Sequence, residues 1–161
     1  MKSRCPLDVN QLRVLINERI DEVLTIAHDR YGFPGHEVET RFDLRGLAAG
    51  TAQTTRDGRR ILRFNLEACA GGEDSHGYRN TVPHEIAHLV VQWGWLSRDL
   101  RDLRLRKPQP HGSEWRSVCI ALGGNGKRYA EWRSVCIALG GNGERIAAES
   151  YKGSNKITKG N

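Results

Sequence analysis

His84-Glu85-Ile86-Ala87-His88 constrains this chain more than any other stretch of it. Two imidazoles four residues apart project from one face of an α-helix, where they can grip a single zinc ion while the glutamate between them lies beside the open coordination position. The motif thus specifies a helix, a metal and a reaction class together, namely metal-dependent hydrolysis. Apolar Ile86, Ala87, Leu89, Val90 and Val91 flank the pair, as a helix with a dry back face requires. Pro83, directly before His84, is expected to set the motif at a helix start or a kink, with the ligands near a loop that substrate can reach. The plain alternative is a histidine pair on partly buried polar surface, so the surroundings must supply a third ligand.

A catalytic zinc takes three protein ligands and keeps one position for water. His111, in Pro110-His111-Gly112-Ser113-Glu114-Trp115, can return to the helix through a proline-containing link. Glu114 is a second candidate, of the kind a gluzincin uses. Cys69, in Glu67-Ala68-Cys69-Ala70-Gly71, is a third, of the kind a peptide deformylase uses, but the leucine-serine that follows such a cysteine is missing, and Cys69 also reads as a small buried apolar residue. The metzincin pattern fails, because its glycine and third histidine would fall on Val91 and Gly94.

Several further motifs stand in register with the helix. Phe42-Asp43-Leu44-Arg45-Gly46 is followed by Ala49-Gly50-Thr51-Ala52, then Asn65, then Thr81-Val82-Pro83-His84-Glu85-Ile86-Ala87-His88, then His111-Gly112-Ser113-Glu114-Trp115. In this order they resemble the SprT family of bacterial zinc metalloproteases, related to the eukaryotic Spartan proteases, over residues 8–126. The resemblance implies a compact zincin-like domain with one zinc ion held by His84, His88 and His111, and with Glu85 as catalytic base. It also implies a protein substrate. In the eukaryotic relatives the activity is DNA-dependent cleavage of proteins crosslinked to DNA.

The chain departs from that family in two respects. Many SprT proteins carry a C-terminal zinc ribbon, yet no cysteine follows Cys136. In addition, residues 114–130 are repeated at once by residues 131–147, with differences only at Lys127/Glu144 and Tyr129/Ile146. Within each copy Trp115, Val118, Cys119 and Leu122, or Trp132, Val135, Cys136 and Leu139, form one apolar helical stripe that ends at Gly-Gly. Copy one is tied to His111 and is expected to pack beneath the zinc helix, leaving copy two as an added helix. The simplest account of the repeat is a tandem insertion without function.

The expected fold is α+β, a single domain. Residues 8–31 carry an amphipathic helix with Leu12, Leu15, Ile16, Ile20, Val23, Leu24 and Ala27 on one face, Asp8 and Gln11 as a capping pair and Gly32 as its stop. Strands are expected near 37–43, 50–55 and 60–64, the last two flanking the Asp57-Gly58 turn. Residues 66–77 read as a glycine-rich link, and helices are expected over 80–94, 113–122 and 128–139. The metalloprotease domain would cover 8–126, the duplicated segment 127–149 and a disordered basic tail 150–161.

In the expected chemistry three neutral imidazoles hold the zinc, which makes water acidic and polarises the scissile carbonyl, while Glu85 takes the water proton and passes it to the leaving amine. His76, Tyr78 and Arg45 are candidates to steady the oxyanion.

A net charge of +6 favours an anionic partner. Arg56, Arg59, Arg60 and Arg63 cluster on the hairpin; Arg98, Arg101, Arg104, Arg106 and Lys107 precede His111, diluted by Asp99 and Asp102. With Trp93 and Trp95 nearby, the second cluster could stack unpaired bases. No apolar run is long enough to span a bilayer, and four scattered cysteines suit a reducing, cytoplasmic setting. Two other readings are a DNA-binding module with structural zinc and a variant inactivated by its insertion.

Overall fold

The computed structural model describes residues 8–70, 77–96 and 106–127, an α+β arrangement of four helices and a three-stranded sheet. Helix α1 (Val9–Tyr31) buries Leu12, Ile16, Ile20, Val23 and Ala27, the stripe expected from the 3.6-residue period. It begins at Asp8, whose N–H donates to the Gln11 side chain (3.2 Å), and ends at Gly32, which takes a left-handed conformation at φ 69°. There the N–H groups of Gly32 and Phe33 bond back to the carbonyls of His28 and Ala27, closing the last turn.

After a 3-10 turn at Gly35–Glu37 come β1 (Val38–Arg41), β2 (Gly50–Thr54) and β3 (Arg60–Phe64). The sheet order is β1-β3-β2, with β1 parallel and β2 antiparallel to the central β3. The β2–β3 connection bends where expected. Thr55 N–H bonds Arg59 O, Gly58 N–H bonds Thr55 O, and Gly58 at φ 85° supplies the left-handed residue that closes such a loop.

Residues 66–70, expected as link, form a short helix, α2 (Leu66–Ala70). Asn65 explains it: its side-chain oxygen accepts the N–H groups of Glu67 (3.1 Å) and Ala68 (3.4 Å), while its amide donates to Gly46 O at 2.6 Å. Helix α3 (Gly77–Leu96) starts earlier than expected, and Pro83 lies inside it, neither at its first turn nor beside a loop. α3 is the centre of the molecule: α1, α2, β2 and α4 all pack against it, so nearly every residue from Thr81 to Val90 is buried. Helix α4 (Ser113–Ala121) turns its Trp115 and Cys119 onto α3, as expected for copy one. The copy-two helix and the basic tail fall outside the described residues.

Candidate metal centre

His84 and His88 leave α3 one turn apart, and His111 reaches them from the segment before α4. The Nε2 atoms of His84 and His111 are 3.1 Å apart and those of His88 and His111 3.0 Å apart. All three ligand atoms fall within 4.8 Å of one another. Zinc–nitrogen bonds of about 2.0–2.1 Å in a tetrahedral site put ligand nitrogens about 3.3 Å from each other, so the cluster has the dimensions of a three-histidine metal site. A single Nε2–H on His111 can serve one neighbour at a time, whereas a cation at the centre serves all three. Burial holds the imidazoles of His84 and His88 neutral, depressing them to about 2 and about 3, with the neighbouring rings adding to the effect. Neutral imidazole is the form that ligates metal.

His111 adopts φ 59°, a left-handed backbone conformation that is uncommon outside glycine. That bend turns its ring back toward α3 before the chain enters α4 at Gly112. Trp115, on the first turn of α4, forms the floor of the site. Its ring centroid lies 4.6 Å from His84, 5.5 Å from His88 and 4.7 Å from His111, and its indole N–H donates to the His84 carbonyl at 3.2 Å.

Glu85 is 4% exposed, with Oε1 4.0 Å from His84 Nε2. Burial raises its carboxyl to about 8, opposed by a hydrogen bond from the backbone N–H of Ala52. β2 lies so close that a Cβ on Gly50 would approach Thr81 Cγ2 to 2.8 Å and Glu85 Cγ to 2.9 Å. Neither Gly50 nor the Ala52 N–H was foreseen as part of the site. Only the Ala49-Gly50-Thr51-Ala52 motif marked the place.

The other candidate ligands lie elsewhere. Glu114 is exposed and accepts the Ser113 hydroxyl at 3.2 Å, and Cys69 is buried with its thiol toward Ala49 O at 3.5 Å. Burial pushes the Cys69 thiol up to about 12. Of the oxyanion candidates, Tyr78 is buried in the core, Arg45 lines a separate cavity of about 270 Å³ together with Arg13 and Phe42, and His76 is outside the described residues.

Arg98, Arg101 and Arg104 also lie outside the described residues; Arg106 and Lys107 are exposed. On the hairpin, Arg59 pairs with Asp57 (2.9 Å), Arg60 with Glu37 (3.0 Å) and Arg63 with Asp43 (2.8 Å), whereas Arg56 is exposed. Three of the four hairpin guanidinium groups are therefore already matched with carboxylates.

A model of the SprT-like family matches residues 16–135. The chain belongs to the SprT-like family. Protein SprT of Pseudomonas entomophila is 32% identical over 104 residues, covering 65% of this chain and 56% of that protein. Protein SprT of Shewanella oneidensis is 32% identical over 108 residues, 66% and 60% of the two chains. Against Protein SprT of Pseudomonas putida strain F1 the identity is 36% over 86 residues, 53% and 43%. This SprT-like chain thus spans little more than half the length of the curated relatives it matches. No solved structure matches it. Among the described residues, no helix is long and apolar enough to cross a membrane.

Proposed function

We propose that this SprT-like chain is a zinc-dependent metalloendopeptidase acting on proteins associated with DNA. The observation that carries the reading is the meeting of three imidazole nitrogens with a buried carboxylate on the same helix. When bound, zinc would supply Lewis acidity toward the scissile carbonyl and lower the pKa of a water molecule. His84, His88 and His111 would hold it, each in its neutral form. Glu85 does the proton transfer: its carboxylate takes a proton from the attacking water and hands it to the departing amine. Burial raises the Glu85 carboxyl, which makes its carboxylate a stronger base than that of an exposed glutamate, and a cation bound by the neighbouring imidazoles would favour the ionised form that accepts the proton. The Ala52 N–H fixes the carboxylate between strand and helix.

A structural zinc takes four protein ligands, and among the described residues the cluster offers three. That count favours hydrolysis over a purely structural metal. The DNA-associated substrate is supported by the net charge of +6 and by exposed Arg106 and Lys107, just before the third ligand in the chain. The test is incubation of the purified chain with a DNA-binding protein, with and without single-stranded DNA, a chelator and Glu85→Gln. Cleavage that requires metal and Glu85 and rises with DNA is the expected result; fragments that persist with Glu85→Gln would refute the assignment.

A further inference from the structure

The groove on α3 holds residues 114–130 through a small set of features. Trp115 is buried beneath the imidazoles, and Cys119 and Leu122 are buried beside it. Gly123, at φ 88°, presents its carbonyl to Arg19 at 3.2 Å. A Cβ on Gly124 would come within 2.6 Å of Cys119 Sγ and 3.2 Å of Pro83, and Gly126, at φ 66°, fits against Ile120. Each of these residues recurs seventeen positions later, as Trp132, Cys136, Leu139, Gly140, Gly141 and Gly143. The two positions at which the copies differ lie beyond these features. What differs is the approach. Where copy one is preceded by His111, Gly112 and Ser113, copy two is preceded by Arg128, Tyr129 and Ala130.

We propose that residues 131–147 are a second occupant of the α3 groove, exchanging with residues 114–130 and withdrawing His111 from the metal site whenever they dock. Among the described residues, the buried side chains and glycine turns that seat copy one in the groove, Trp115, Cys119, Leu122, Gly123, Gly124 and Gly126, all recur in copy two, so these packing features do not distinguish the copies. Selection falls to the approach. A Cβ at position 112 would meet Gln109 O at 3.1 Å, so the tight turn before copy one accepts glycine and disfavours the tyrosine that precedes copy two. Metal adds to that preference, because only the first register supplies the third imidazole, and a ligand shifts a two-state equilibrium by its differential affinity for the states. Seventeen further residues of connecting chain oppose the exchange weakly, since closure entropy grows only with the logarithm of loop length. The proposal rests on the groove and the repeat, and is independent of peptide cleavage.

The test compares the full chain with Trp115→Ala, Trp132→Ala and the double variant, by thermal melting of metal-free protein and by zinc stoichiometry. Exchange lets Trp132 fill the space left in Trp115→Ala, which therefore melts within about 5 °C of the unsubstituted chain yet no longer holds stoichiometric zinc. Trp132→Ala changes neither quantity. The double variant melts about 10 °C or more below either single variant, as expected when a buried tryptophan has no substitute. The proposal is overturned if Trp115→Ala and the double variant melt together, if Trp115→Ala fails to fold while Trp132→Ala folds, or if Trp115→Ala keeps one bound zinc.

Discussion

The guanidinium of Arg19 donates to the carbonyl of Arg79, an acceptor that Pro83, having no N–H four residues on, leaves without its helical partner. The same Nη2 also reaches Gly123 O, at the end of α4. One side chain on α1 therefore repairs the proline gap in the metal-binding helix and anchors the helix beneath the metal site. Arg19→Ala should cost about 1–3 kcal/mol, because charge-assisted bonds to two carbonyls go at once. Arg19→Lys, with a point charge in place of a fork, should recover only part of it. Denaturant unfolding measures both, and an unchanged midpoint for Arg19→Ala would remove this role.

Glu85→Gln separates catalysis from stability. The Glu85 carboxyl, ordinarily near 4.5, is raised to about 8 in the fold, so the folded state favours the protonated form. Its contribution to stability is fully present below 4.5 and is lost as pH rises toward 8. Metal-free Glu85→Gln has no such loss. It should melt higher than the parent chain at pH 8–9, by an amount on the order of a few kcal/mol at most, and the gap should close toward pH 5. A gap that does not depend on pH would contradict the assignment.

The histidines titrate in the opposite sense. His84 and His88 are held neutral, at about 2 and about 3, so the unfolded chain takes up protons first as pH falls below 6.5. Metal-free protein should therefore lose stability progressively from pH 6.5 downward, and His88→Gln should flatten that slope. A pH titration of melting temperature between 4 and 7 checks both.

His111→Gly divides ligand from backbone. Glycine accepts φ 59° without strain, so the metal-free variant should be as stable as the parent or more so, by up to about 1 kcal/mol. Its zinc affinity should fall by at least about a hundredfold as one of three ligands disappears. Equal zinc binding in competition with a chelator would exclude His111 from the site.

Gly50→Ala tests the contact between β2 and the base. The added methyl would lie 2.8 Å from Thr81 Cγ2 and 2.9 Å from Glu85 Cγ, so strand or carboxylate has to move. Destabilisation of about 1–3 kcal/mol is expected, with zinc still bound and peptide hydrolysis reduced more than zinc content. Hydrolysis at the parent rate would show that Glu85 tolerates the shift.

Much of the fold could be read locally. The stripe of α1 and its Gly32 stop, the Asp57-Gly58 bend and the copy-one helix follow from periodicity and turn chemistry within a few residues. α2 was hidden because five residues carry too short a pattern; its one marker, Asn65 before an acidic first turn, stood beside a glycine-rich run. The early start of α3 was obscured by Pro83. The helix continues through it because Tyr78 is buried, the Thr81 hydroxyl bonds Gly77 O at 3.0 Å and Arg19 takes up the orphaned carbonyl. Sheet order depends on pairing between distant segments and has no local trace.

The site divides in the same way. Spacing alone paired His84 with His88, whereas His111 came from family resemblance, since its approach depends on a single left-handed residue that no pattern announces. The Ala52 N–H is a backbone group, and backbone donors leave no mark in residue identities. The hairpin arginines looked like a free basic patch because their partners Glu37 and Asp43 sit on other segments.

Trp115 also makes the site optically legible. With its indole in contact with all three imidazoles, light absorbed there is emitted next to whatever ion they hold. A paramagnetic ion such as copper(II) or cobalt(II) will drain that emission while closed-shell zinc spares it, so displacement of one by the other can be followed in real time by a chromophore the chain already carries.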